Sequence, residues 1–318
     1  MDNSIDILNR IVTNVEKVIV GKRKTIELIL MSLICDGHVL IEDVPGVGKT
    51  SIISCLAKSI NASFKRIQFT PDVLPSDITG FTMYDQKKGE FVFHPGSIMS
   101  QIILADEINR TSPKTQASLL EVMEEKQVTV DGVTYNMTKP FMVLATQNPV
   151  EYLGTYPLPE AQLDRFLMKV SIGYPDKGEE SYILSRFQKT NPLDELKPVA
   201  QSEDILKIQD KVKHIYSDKI INDYIVEIVN ETRTHPNIHL GASPRGSLAL
   251  FRASQAWALY NNRTYVIPED VKYMAVPVLS HRVVMKQEAK LKKLTPEEII
   301  DSILHSVRVP MVDNYEKK

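Results

Sequence analysis

The stretch "IEDVPGVGKT" at residues 41–50 ends in Gly-Lys-Thr and carries glycines at 46 and 48. Glycines in a strand-to-helix turn let backbone N–H groups point at phosphate oxygens, and the helix N-terminus adds partial positive charge. In such a loop Lys49 reaches the β- and γ-phosphates of a nucleoside triphosphate, and the Thr50 hydroxyl ligates Mg2+. Pro45, Gly46, Val47, Gly48, Lys49, Thr50 and Ser51 are therefore the expected nucleotide-binding set. One position departs from the pattern: Asp43 stands where its first glycine belongs and puts a carboxylate near bound phosphates. Asp tolerates turn geometry better than most residues, and its side chain can point back into the loop.

A second pair adds what binding alone does not need. "IILADEINR" runs apolar into Asp106 and Glu107, at the C-terminal end of a strand, where open α/β sheets place ligands. Asp106 is expected to hold Mg2+ through water. Glu107 is expected to orient and polarise the attacking water, the mark of hydrolysis. Two acids closing a strand are commonly just a solvated strand end; the phosphate loop upstream makes them a candidate site.

These residues need strands to deliver them. "HVLIE" (38–42) is a short apolar run ending in the loop, and "KTSIISCLAKSI" is the helix that leaves it. Further runs at "FKRIQF" (64–69), "QIILAD" (101–106), "FMVLAT" (141–146) and "LMKVS" (167–171) are separated by spacers long enough for helices. That alternation predicts an α/β fold with a largely parallel sheet covered on both faces. "KQVTVDGVTYNM" (126–137) alternates around Asp131-Gly132 and predicts an inserted hairpin. After about residue 172 the texture changes to the polar, proline-bearing stretches "GYPDKGEE" and "KTNPLDELKPVAQSED", then to helical stripes such as Ile221, Tyr224, Ile225 and Ile228. The expected organisation is a nucleotide-binding core over 1–172, a linker over 173–200 and a small helical domain over 201–318.

Composition narrows the class. At 318 residues, with 43% hydrophobic and 25% charged residues, the chain reads as a soluble globular protein of two domains. Its formal net charge of -2 gives no global pull toward nucleic acid or anionic lipid. Two cysteines, Cys35 and Cys55, lack metal-ligand spacing. No apolar run reaches about 18 residues and the start carries no signal-peptide pattern, so the expected location is cytoplasmic, without a membrane span. His235 and His239 stand four apart, but Pro236 occupies the place where a metalloprotease needs its glutamate and would disrupt the aligning helix.

The sequence resembles AAA+ ATPases of the MoxR family over nearly its whole length, through "EDVPGVGKT", "RIQFTPDVLPSDITG", "HPGSIMSQIILADEINR", "ATQNPVEYLGTYPLPEAQLDRF" and "GASPRG", in that order. That family tolerates an Asp at the position of Asp43. The resemblance implies a three-layer phosphate-loop domain with a central, mostly parallel five-stranded sheet, followed by a helical lid. It implies that Asn148 is sensor 1, which senses the γ-phosphate; a neutral amide can donate to phosphate and accept from water. It implies that Arg165 is an arginine finger supplied to a neighbouring subunit's ATP, a role suited to a planar, permanently charged guanidinium. Arg245 matches sensor 2, acting either on its own subunit's ATP or on a neighbour's. Val20 and Gly21, in "VIVGK", resemble the segment packing against adenine. Residues 75–97 would form the helix-2 insertion, and the 126–137 hairpin would precede sensor 1. As isolated residues, Asn148 could cap the turn before Pro149 and Arg165 could pair with Asp164.

What the resemblance implies for function is an ATP-hydrolysing, Mg2+-dependent ring, a hexamer, that remodels a protein client. Its role would be chaperone-like, in maturing complexes or inserting metal cofactors, with a partner bearing a von Willebrand factor A domain. A nucleic-acid-handling motor is the alternative; the near-neutral charge and the hairpin's lack of a basic aromatic surface offer little for it. A scaffold that binds ATP without hydrolysing it would need neither Glu107 nor Asn148.

Overall fold

The computed structural model describes residues 3–148, 154–186 and 192–310. Helices α1 (Asn3–Glu16) and α2 (Arg23–Ile34) lead into strand β1 (Val39–Glu42), and the phosphate loop follows into α3 (Lys49–Ser59). Then come β2 (Phe64–Gln68), a short helix α4 (Pro75–Thr79), the strands β3 (Gly80–Asp85) and β4 (Glu90–Pro95), and β5 (Ile102–Asp106). After β5 the chain forms α5 (Pro113–Glu125), the strands β6 (Gln127–Val130) and β7 (Val133–Asn136), then β8 (Met142–Gln147), α6 (Glu160–Leu163) and β9 (Met168–Val170). Part of the "ATQNPVEYLGTYPLPEAQLDRF" motif, from Pro149 to Leu153, lies outside the described residues.

The five long-range strands form one sheet in the order β2-β5-β8-β1-β9, with every pairing parallel. This architecture matches the expected α/β class. Strand period sorts the side chains into two cores. Val39, Ile41, Ile102, Leu104, Met142 and Leu144 face the side packed with α1, α3 and the later helices, while Leu40, Ile103, Ala105, Val143 and Ala145 face the side packed with α5. Sheets buried on both faces need such near-continuous apolar strands. Truncating a fully buried residue there, such as Leu144, costs about 2–5 kcal/mol.

Two antiparallel hairpins leave this scaffold. β3 pairs with β4, and β6 with β7. The second turns through Asp131 and Gly132, both at positive φ (50° and 79°), as a two-residue hairpin loop demands. Phe93 and Tyr135 stack between the hairpins with ring centroids 4.0 Å apart.

The segment at 173–200, expected as a linker, carries α7 (Lys177–Arg186) and α8 (Pro192–Glu195). Neither helix buries a residue, which is why hydrophobic periodicity gave no signal for them. Helices α9 (Ser202–Lys213), α10 (Lys219–Thr234), α11 (Pro244–Tyr260), α12 (Pro268–Leu279), α13 (Gln287–Leu291) and α14 (Pro296–Ser306) build the helical part, with a small β10 (Ile238–Leu240) and β11 (Val284–Met285) pair. Ile221, Tyr224, Ile225 and Ile228 are buried along α10. Among the described residues no helix is long and apolar enough to cross a membrane.

Candidate active site

The phosphate loop closes β1 and opens α3. Gly48 caps α3 with φ 86° and Gly46 has φ 85°, a backbone that L side chains rarely adopt, and a Cβ at either glycine would meet nothing within 4 Å. The loop is thus an open cradle of N–H groups at a helix N-terminus. It forms one wall of a cavity of about 380 Å³ whose lining includes Gly46, Gly48, Lys49, Thr50, Asp106, Glu107 and Asn148. Pro45 and Ser51 also line it, whereas Val47 packs toward the core.

Asp43 is 7% exposed and its carboxylate turns away from this cavity. Oδ1 accepts from its neighbour Val44 N. Oδ2 accepts from Ser171 Oγ at 3.1 Å, Gly173 N at 2.9 Å and Ile172 N, tying the loop to the chain just after β9. The only group that Asp43 offers the site is its carbonyl, which accepts from Lys49 Nζ at 2.8 Å among the described contacts. Burial pulls the Lys49 ammonium below its ordinary pKa, and the charges of Asp43, Asp106 and Glu107 oppose that shift.

The two acids sit at the end of β5, each held by residues that sequence reading did not single out. Thr146, fully buried on β8, donates from Oγ1 to Asp106 Oδ1 at 2.6 Å and accepts from Glu107 N at 2.8 Å. From β2, Arg66 pairs with Asp106 Oδ2 at 2.5 Å, and Gln68 Nε2 donates to Glu107 Oε2 at 2.7 Å. Arg66 and Gln68 both line the cavity. The parallel register that sets Gln68 opposite Asp106 explains this reach; period two alone puts residues 66 and 68 on one side of β2, but strand order is needed to bring β2 beside β5. Glu107 itself adopts the left-handed region (φ 58°, ψ 48°), a conformation that costs a non-glycine residue about 1–3 kcal/mol and clusters at functional sites.

Asn148 follows β8, is 8% exposed and completes the cavity wall. Arg165 and Arg245 do not line this cavity. They meet elsewhere, on the two oxygens of Glu124 near the end of α5: Arg165 at 2.6 Å and Arg245 at 2.5 Å. Arg165 is not the partner of Asp164. That carboxylate instead accepts from Arg282 Nε at 2.8 Å and Ser243 Oγ at 2.7 Å. Burial pulls the Arg282 guanidinium down to about 10, with Asp164 opposing. Val20 and Gly21 are also apart from the cavity: Gly21 (φ 72°) lies against the Glu179 side chain, and Lys22 Nζ donates to Tyr174 O at 2.9 Å.

A phosphate cradle on a parallel sheet, two acids at the end of the neighbouring strand and a following helical part define a phosphate-loop ATPase core with a lid. Residues 38–168 match the family model described as the ATPase family associated with various cellular activities (AAA), and residues 230–303 match that of the AAA lid domain. The chain is 54% identical over 305 residues to the uncharacterised protein YeaC of Bacillus subtilis, covering 96% of this chain and 95% of that one. It is 41% identical over 315 residues to the chaperone MoxR1 of Mycobacterium tuberculosis, covering 96% and 83%. A crystal structure of a candidate ATPase from Cytophaga hutchinsonii matches with a TM-score of 0.90 at 40% identity, covering 97% of this chain and 96% of that one. The chain belongs to the MoxR family of AAA ATPases.

Proposed function

We propose that this chain hydrolyses Mg2+-ATP between subunits of a ring, a hexamer, and uses the cycle to remodel protein clients as a cytoplasmic, chaperone-like ATPase. One observation carries the reading: the phosphate loop, Asp106, Glu107 and Asn148 face a single cavity of about 380 Å³. The loop's N–H groups and Lys49 would bind the triphosphate. The Thr50 hydroxyl and the Asp106 carboxylate, both in the cavity wall, are the hard oxygen donors that suit Mg2+. When bound there, the ion would neutralise charge on the β- and γ-phosphates. Glu107 would accept a proton from the attacking water as its oxygen bonds to the γ-phosphorus and the bond to the bridging oxygen breaks, and the Asn148 amide would donate to the γ-phosphate.

Arg165 and Arg245 would act on a neighbour's nucleotide. Their shared placement on Glu124, off their own cavity, supports this for Arg245 as well as for the finger. Adenine would pack at Val20 and Gly21, with the Glu179 side chain giving way. Exposed apolar side chains lie on both faces of the β3–β4 hairpin, Phe81 and Met83 on one and the paired Tyr84 and Phe91 on the other, and offer contacts for a client. Similarity to the chaperone MoxR1 supports the remodelling role. Assembly of protein complexes or metal-cofactor insertion, with a partner bearing a von Willebrand factor A domain, is the expected setting.

The test is ATP turnover against protein concentration. Turnover that needs Mg2+ and rises more steeply than linearly supports a shared site; turnover proportional to protein down to dilutions where rings dissociate counts against it.

A further inference from the structure

Glu124 is the meeting point of the two arginines, and nothing in the hydrolysis scheme above uses it. Its carboxylate gives one oxygen to each guanidinium. The three side chains are about a third to a half exposed, at 36% for Glu124, 32% for Arg165 and 47% for Arg245. Pairs this open to water contribute little to stability and exchange readily for a better anion. Arg165 has a second anchor, donating to Leu120 O at 2.9 Å one turn back on α5, so it stays in place when the carboxylate leaves.

At the direct contact two guanidinium groups share one carboxylate, with Glu121 and Glu125 lining the same surface cavity as Glu124 and Arg165. A triphosphate brings more negative charge and several oxygens that suit planar guanidinium donors. The two arginines are also joined mechanically. Asp164, beside Arg165, is bonded to Ser243 at the start of α11 and to Arg282, and Arg245 lies two residues beyond Ser243 on the same helix.

We propose that Glu124 is a carboxylate latch: it occupies Arg165 and Arg245 in a subunit standing alone and releases both together to the polyphosphate of a second copy's nucleotide. This rests on reading both arginines as acting between subunits. Glu124 is a positioning residue, since it would act through the arginines and never touch the nucleotide. A latch opposes assembly, whereas a merely structural ion pair does not.

The test is self-association followed by light scattering across a protein dilution series, with Mg2+ and adenylyl imidodiphosphate, for the parent and for Glu124→Gln, Glu124→Ala and Arg165→Ala. The latch predicts that both Glu124 variants assemble at lower protein concentration than the parent, by about threefold, the order expected for removing two partly exposed ion pairs. An unchanged or raised midpoint in both overturns it. Arg165→Ala reports on the underlying reading separately: its midpoint should rise, and if it does not, the arginine does not reach a neighbour's nucleotide, whatever the Glu124 variants do.

Discussion

Asp43 Oδ2 accepts hydrogen bonds from the backbone N–H groups of Ile172 and Gly173, 129 and 130 residues along the chain. The residue that breaks the phosphate-loop pattern therefore anchors the loop to the sheet's edge strand and the segment beyond it. Asp43→Ala leaves those buried donors unpaired and should destabilise the fold by about 1–3 kcal/mol, read by urea unfolding. ATP affinity should change by less than about tenfold, because only the residue's carbonyl faces the site. A variant of parental stability that no longer binds ATP would place the carboxylate's role at the phosphates instead.

Gln68 should matter to rate and not to affinity. Its amide holds Glu107 Oε2 at 2.7 Å, against a longer 3.2 Å contact from Arg110 Nε, so Gln68→Ala removes the shorter of two restraints on the proposed base. We expect kcat to drop by about tenfold, with KM for ATP within about twofold. A raised KM at unchanged kcat would mean that Gln68 contacts nucleotide instead of orienting Glu107.

The stability of the core should depend on pH through His38. Its Nδ1 accepts from Val143 N at 3.0 Å and its Nε2 faces Met123 O at 2.9 Å, a fully occupied neutral ring. Burial pulls its pKa from 6.5 to about 4. The unfolded chain therefore binds the proton first as pH falls, so this contribution is complete above about pH 6.5 and is lost on the way down to about 4, roughly 3 kcal/mol in all. Unfolding free energies of parent and His38→Gln, measured between pH 7 and 4, should converge as the pH drops. Parallel curves would exclude His38 as the source.

A site shared between subunits predicts complementation. Lys49→Ala should lose its own ATP but still supply Arg165, while Arg165→Ala should keep its phosphate loop but supply no finger. Each variant alone should be nearly inactive. Mixed, they should regain turnover; a mixture as inactive as its parts would argue that Arg165 acts within its own chain.

The phosphate loop and the Asp106-Glu107 pair were legible because their residue types are dictated locally, by a turn, a helix start and a strand end. The alternation around Asp131-Gly132 was legible for the same reason. Arg66, Gln68 and Thr146 were not, since each reaches the acids only through strand order: β2 and β8 flank β5, and no local pattern announces that. Glu124 looks in sequence like any solvated helix acid, and its pairing with Arg165 and Arg245 depends on how α5, the chain after α6 and α11 converge. Helix α7 leaves no helical period in the sequence because it buries nothing that would create one.

The role proposed for Glu107 is to activate water at a loop that holds ATP. The most direct measurement is Glu107→Gln, assayed side by side for bound ATP and for phosphate release. With Glu107 as the base, the variant should bind ATP near the parental level and turn it over about 10²- to 10⁴-fold more slowly. Turnover that survives the substitution would contradict that role.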